Sequence, residues 1–399
     1  MNQAATASAV YYDPYDVEIN ADPYPTFRRL REEAPLYYNE QYDFYAVSRH
    51  LEVERGLRER ETFISGRGAV LELIKSDFPI PAGTVIFEDP PTHTLHRGLL
   101  SRMFTPRKVA ALEPQMRRYC AEALDPLVGS DRFDLIADFG AQMPMRVIGM
   151  LLGIPEQDQV AIRDRSDANL RTEPGKPMEH RGGLDWGDVF AEYVDWRRDH
   201  PSDDIMTELL NAEFEDETGQ TRQLTREELL TYIAVVAGAG NETTTRLIGW
   251  TGKVLAEHPD QRRELVEDRT LLPQAVEEVL RFEPPAPHVG RYADRDAEFE
   301  GGTVPQGSAV LFLVGSANRD PDRFPDADRF DIHRDAKSNL TFGYGAHFCL
   351  GASLARLEGR VALDELLTRF PEWDVDLSGA KLSPTSTVRG WETLPFVPA

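Results

Sequence analysis

Phe342-Gly-Tyr-Gly-Ala-His-Phe-Cys-Leu-Gly351 is the stretch on which the reading of this chain turns. Two glycines before the cysteine and one just after it allow a tight loop whose backbone amides can turn toward sulfur. The helix expected next, through Leu354 and Leu357, brings its positive N-terminal end near Cys349. That field and those donors favour a thiolate over a thiol. A lone cysteine is as a rule an inert core residue. Glycine crowding on both sides argues for a functional thiolate, without by itself naming a metal.

Working outward, Thr225 to Glu257 reads as the longest helix and opens on Thr225-Arg-Glu-Glu228, a capping-box pattern. Its middle holds Ala239-Gly-Asn-Glu-Thr-Thr244. Gly238 and Gly240 each cost about 1 kcal/mol against alanine. They serve either close helix packing or space for a ligand beside a local bulge. Thr243 can bond back to a carbonyl one turn earlier. Glu278-Val-Leu-Arg281 sets a carboxylate and a guanidinium on one helix face. Pro90-Pro-Thr-His93 is followed by Arg97 one turn later, a pair suited to holding a carboxylate or to lining a solvated face.

Taken together, Phe342-x-x-Gly345-x-x-x-Cys349-x-Gly351 resembles the haem-binding signature of the cytochromes P-450, with every expected position filled. The resemblance extends over nearly the whole chain, because the other motifs occur in family order. It implies a single domain, 1–399, mainly α with a minor β region, in the triangular-prism fold. It implies haem b with Cys349 as proximal iron ligand, a thiolate that favours O–O cleavage. Ala239, Gly240, Phe342, Gly343 and Gly351 would line the haem. His93, Arg97, Arg291 and His347 would meet its propionates. Glu242 and Thr243 match the acid–threonine pair that supplies protons during oxygen activation. Glu278 and Arg281 match a buried structural pair, which Arg329 of Asp328-Arg-Phe330 would complete as a triad.

Elsewhere the pattern is compatible. Pro25 to Ala34 reads as a helix and Leu36 to Val47 as a hairpin. Helix boundaries are expected at Thr105-Pro106, Ile154-Pro155 and His200-Pro201. Short β runs are expected at Val289–Ala293 and Ala309–Val314, an irregular stretch from Asp320 to Asp335, and a last helix from Leu350 to Phe370.

The chain has 399 residues, 41% of them hydrophobic, and a net charge of −24, which makes nucleic acid an unfavourable partner. Met1 to Asn20 matches neither a secretory signal nor a membrane anchor, and no later run reaches the length of apolar residues that a span needs. Cys120 and Cys349 alone supply no disulfide framework, so a cytoplasmic, monomeric protein without membrane attachment is expected. Against the acidic background, Thr92 to Arg118 carries six bases (Arg97, Arg102, Arg107, Lys108, Arg117, Arg118) and one acid, Glu113. This is either a solvated face or a docking patch for an acidic redox protein. The resemblance implies a separate ferredoxin and ferredoxin reductase.

The implied reaction is insertion of one atom of dioxygen into a small hydrophobic substrate. The family's variable pocket loop corresponds to Phe63–Phe87, and Val85, Ile86, Phe87, Pro287 and His288 are expected at the pocket, with Thr385–Val388 nearby. Arg67 is read as solvated rather than as a carboxylate partner. Two rival readings are a peroxide-driven peroxygenase and a haem-binding module without turnover. The acid–threonine pair argues against both.

Overall fold

The computed structural model describes residues 10–178 and 188–399. Residues 1–9 of the N-terminal reading, and 179–187 of the helical region, lie outside the described residues. The architecture is mainly helical with small sheets, as the sequence predicts. The helices that frame the site are α1 (Tyr24–Glu33), α2 (Leu71–Ile74), α3 (Thr92–Ser101), α4 (Glu113–Leu124), α5 (Gln142–Leu152), α6 (Arg226–Glu257), α7 (Leu272–Phe282) and α8 (Ala352–Arg369). Thr105 and Pro155 are N-caps and His200 is a C-cap, so the three proline boundaries hold.

The main sheet contains β1 (Leu36–Asn39), β2 (Phe44–Val47), β3 (Phe63–Ile64), β4 (Val289–Ala293) and β5 (Ala309–Phe312), in the order β1-β2-β5-β4-β3. Only β2 and β5 run parallel, with Leu311 opposite Ala46. Pro287 and His288 lead into β4, which carries Arg291.

α6 runs through the core, and its 32 residues span about 48 Å at the usual rise per residue. Thr225 and Glu228 cap it reciprocally: Glu228 N donates to Thr225 Oγ1 at 3.1 Å, and Thr225 N to Glu228 Oε2 at 2.8 Å. Its glycines explain how neighbours approach so closely. A Cβ on Gly240 would stand 2.4 Å from Ile148, and one on Gly252 2.2 Å from Leu135. Gly240 therefore serves helix packing, while remaining only partly buried beside the exposed Ala239. Leu135–Leu152 has the length and hydropathy of a membrane span, yet 61% of it is buried in the fold, much of it packed against α6.

Glu278 and Arg281 are fully buried and joined by two 2.7 Å bonds. Arg281 also donates to the carbonyls of Asn318 and Ala327. The third cation is Arg334, whose Nε lies 3.2 Å from Glu278 Oε1. Arg329 is exposed and offers only its carbonyl to Arg281. The sequence expectation of Arg329 is thus corrected: Phe330 turns into the core at 1% exposure and leaves Arg329 pointing out. Asp320 to Asp335 is irregular, as expected.

Candidate active site

Gly343 and Gly345 both take φ of 72°, in the left-handed region that a side chain strains to reach. The loop closes when Cys349 N donates to Phe342 O at 2.8 Å, and α8 begins three residues past the cysteine. Protein encloses Cys349 on nearly every side, yet its surface is accessible, so the sulfur faces an interior space. Burial pushes its thiol up, while the Gly351 N–H and the Arg97 and Arg356 guanidiniums pull the other way. In the free side chain burial outweighs them. A metal cation on the sulfur would remove the thiol proton.

Around this loop the expected propionate partners converge. His93 and His347 lie 4.1 Å apart between ring centroids. Arg97 donates to the Phe348 carbonyl, beside the cysteine. Arg291 is 5% exposed, and its bond is to its own neighbour, the Gly290 carbonyl, at 2.7 Å. Burial lowers Arg291 to about 10 and His347 to about 3; the cations Arg291 and Arg97 and the nearby His93 depress His347 further. Among the described residues, neither Arg97 nor Arg291 has a carboxylate within ion-pair distance, and His93 Nε2 is buried without a partner. A buried cation without a carboxylate, as Arg291 is, is costly, so with the half-buried Arg97 beside it the cluster fits a ligand that brings its own carboxylates. Haem, with two propionates, meets that requirement.

Across from the loop, α6 is buried through most of its length, but Ala239 is exposed and Thr243 half-buried. Thr243 Oγ1 donates to the Ala239 carbonyl at 3.0 Å, as the sequence suggested. Glu242, on a different face, is 4% exposed and accepts a 2.7 Å bond from Arg246. Arg246 in turn donates to the Trp391 carbonyl.

Sequence reasoning missed Glu358. It is 1% exposed on α8, with burial raising its pKa to about 8 and the Thr244 hydroxyl bonding to it. The signal was present: Leu354, Leu357 and Val361 mark the buried face of α8, and Glu358 falls on it.

The expected pocket residues divide. Val85 packs into the core, while Ile86 is exposed and Phe87 half-buried. Phe87 lines a 450 Å³ cleft that also holds Glu88, His96, Glu217, Arg222 and Glu228, so this cleft is polar rather than apolar. Pro287 and His288 line a small hollow with Thr385 and Val388. Arg67 is exposed, its guanidinium 4.7 Å over the Tyr292 ring.

Half of the basic run is neutralised, three of its six bases. Arg117 meets Glu113, Asp364 and Glu365, Lys108 meets Glu208, and Arg118 meets Glu122. Arg102 and Arg107 stay exposed without an ion-pair partner among the described residues.

Comparison with known proteins agrees with this geometry. A family model described as "Cytochrome P450" matches residues 188–388. The chain is 36% identical to the putative cytochrome P450 123 of Mycobacterium tuberculosis over 390 residues, 96% of each protein. It is 34% identical to the cytochrome P450 monooxygenase PikC of Streptomyces venezuelae, covering 99% of this chain and 96% of PikC. Among solved structures, cytochrome P450 CYP109Q5 of Chondromyces apiculatus superposes with a TM-score of 0.86 at 35% identity, over 97% of this chain and 98% of that one.

Proposed function

The chain belongs to the cytochrome P450 family, and from that premise we propose that Cys349 is the proximal ligand of its haem and that Thr243 and Glu242 serve proton supply. The protein is a haem-thiolate monooxygenase with the family's fold. Bound haem supplies dioxygen activation, one oxygen atom entering an organic substrate and the other leaving as water.

The observation that carries the assignment is the enclosed but accessible Cys349 beside cations that lack carboxylate partners. Arg97, Arg291, His93 and His347 hold the propionates in this reading, and the Gly351 N–H donates toward sulfur. Phe342, packed under the Arg356 guanidinium at 4.4 Å, keeps the loop dry on its flank. Thr243 holds a hydroxyl at the opening in α6, where it passes a proton into the site. Glu242, held by Arg246, exchanges protons with solvent as that pair opens.

The substrate in this reading is small and largely apolar. Among structural neighbours, CYP109E1 of Bacillus megaterium, solved with testosterone, supports that class, while a mutant of P450 EryK was solved with the larger erythromycin B. They match this chain at 29% and 32% identity over 96% of its length. Electrons come from a ferredoxin and its reductase, which meet the face carrying Arg102 and Arg107. The chain works as one domain, a monomer in the cytoplasm.

The test is a screen of steroids, macrolides and fatty acids for a substrate-induced Soret shift, followed by turnover under labelled dioxygen. Label in the product, dependent on ferredoxin and reductase, is the expected result. Product formed from peroxide alone would favour the peroxygenase. Binding without product under either regime would favour the haem-binding module.

A further inference from the structure

Glu72 is the one polar side chain on the face that α2 turns away from the core. Leu71, Leu73 and Ile74 are buried, and the segment is anchored independently by Gly290 N, which donates to Ala69 O at 2.8 Å. Glu72 itself is half-buried. Its Oε1 accepts from Ser386 Oγ at 3.0 Å and from the Met178 backbone N–H at 3.0 Å. The Tyr15 hydroxyl bonds to the same carboxylate. One carboxylate thus gathers four segments that are distant in sequence: the N-terminal stretch, the loop of residues 63–87, the strand of chain at Met178, and the C-terminal loop 385–388.

Two features separate this from an ordinary surface contact. First, all three donors are neutral, and no cation lies within ion-pair distance of Glu72 among the described residues. Bonds to an ionised acceptor are about twice as strong as neutral ones, so the charge strengthens all three at once. Second, Ser386 also bonds through its backbone to the ring of His288, whose pKa burial lowers to about 4. That neutral ring continues the network from Glu72 to the segment leading into β4.

We propose that Glu72 is a positioning residue that clasps the loop 63–87, the segment at Met178 and the C-terminal loop 385–388 around the substrate space, so that a molecule passing between them must part its hydrogen bonds. This rests on the reading of the haem site given above. The Ser386 and Met178 donors are neutral and only partly buried, so water satisfies them once the carboxylate is removed, while Tyr15 stays held by its buried ring. Loss of the clasp therefore loosens the walls without unfolding α2, whose three buried side chains remain.

The experiment is flash photolysis of carbon monoxide from the reduced holoprotein, reading the bimolecular rebinding rate. Parting charge-assisted bonds governs passage in this account, so Glu72→Ala should rebind roughly tenfold faster. Glu72→Gln, which keeps an oxygen but not the charge, should fall between. Ser386→Ala, losing one bond, should show a smaller rise, and Glu72→Ala with Ser386→Ala should be no faster than Glu72→Ala alone. If Glu72→Ala does not fold, Glu72→Gln and Ser386→Ala carry the test. Rebinding at the wild-type rate in these variants would overturn the clasp. The position of the carbon monoxide band in the same samples judges Cys349 separately. A band lacking the thiolate's red shift would count against the ligand assignment, while the rate would still judge Glu72.

Discussion

The Glu242 carboxylate and the Arg246 guanidinium meet at 2.7 Å one turn apart on α6, with side chains 4% and 7% exposed. The acid beside Thr243 is therefore an ion-paired carboxylate in a nearly closed setting. Removing one partner of such a pair leaves a buried charge uncompensated. Arg246→Leu is expected to destabilise the protein by roughly 3–5 kcal/mol, measured by denaturant unfolding. A loss under about 1 kcal/mol would mean that the pair is open to water.

Thr243 stands apart from that pair, its hydroxyl on the Ala239 carbonyl at the accessible part of α6. Thr243→Ala should keep wild-type haem content and fold. With the redox proteins supplied, it should release a much larger share of its electrons as hydrogen peroxide. Unchanged coupling of electrons to product would remove Thr243 from proton supply.

Glu358 gives the fold a pH dependence of definite sign. Its pKa rises from an ordinary 4.5 to about 8, burial being the largest cause. The folded state thus keeps a proton that the unfolded state releases. Stability from this group falls as pH rises from about 4.5 to about 8, on the order of 1 kcal/mol per pH unit. Glu358→Gln keeps the shape without the ionisation. Its denaturation midpoint should gain on the wild type between about pH 6 and about pH 8.5. A constant difference across that range would contradict the raised pKa.

The corrected triad is separable by mutation. Glu278→Ala strands the buried Arg281 and is expected to yield little folded holoprotein. Arg334→Ala should cost stability measurably, since its guanidinium contacts Glu278 and three loop carbonyls. Arg329→Ala should stay within about 0.5 kcal/mol of wild type in urea unfolding. The reverse order would restore Arg329 as the third member.

What could be read in advance was set by local rules. The Gly343 and Gly345 turns, the Thr225–Glu228 cap and the proline boundaries depend on residues a few positions apart, and all stand in the structure. The choice between Arg329 and Arg334 could not be read that way. Residues 320–335 have no periodicity, and the inward direction is decided by Phe330 packing against distant helices. The same holds for the basic run, where Arg117 is met by Asp364 and Glu365 from α8, nearly 250 residues away. Gly240 was open between packing and ligand, and its contact with the distant Ile148 shows the packing.

The most direct measurement is the absorption spectrum of the dithionite-reduced protein with and without carbon monoxide, in the wild type and in Cys349→Ser. The account predicts a strongly red-shifted Soret band in the wild type that is absent from the variant. A wild-type band in Cys349→Ser, or a folded protein that takes up no haem when haem is supplied, would contradict it.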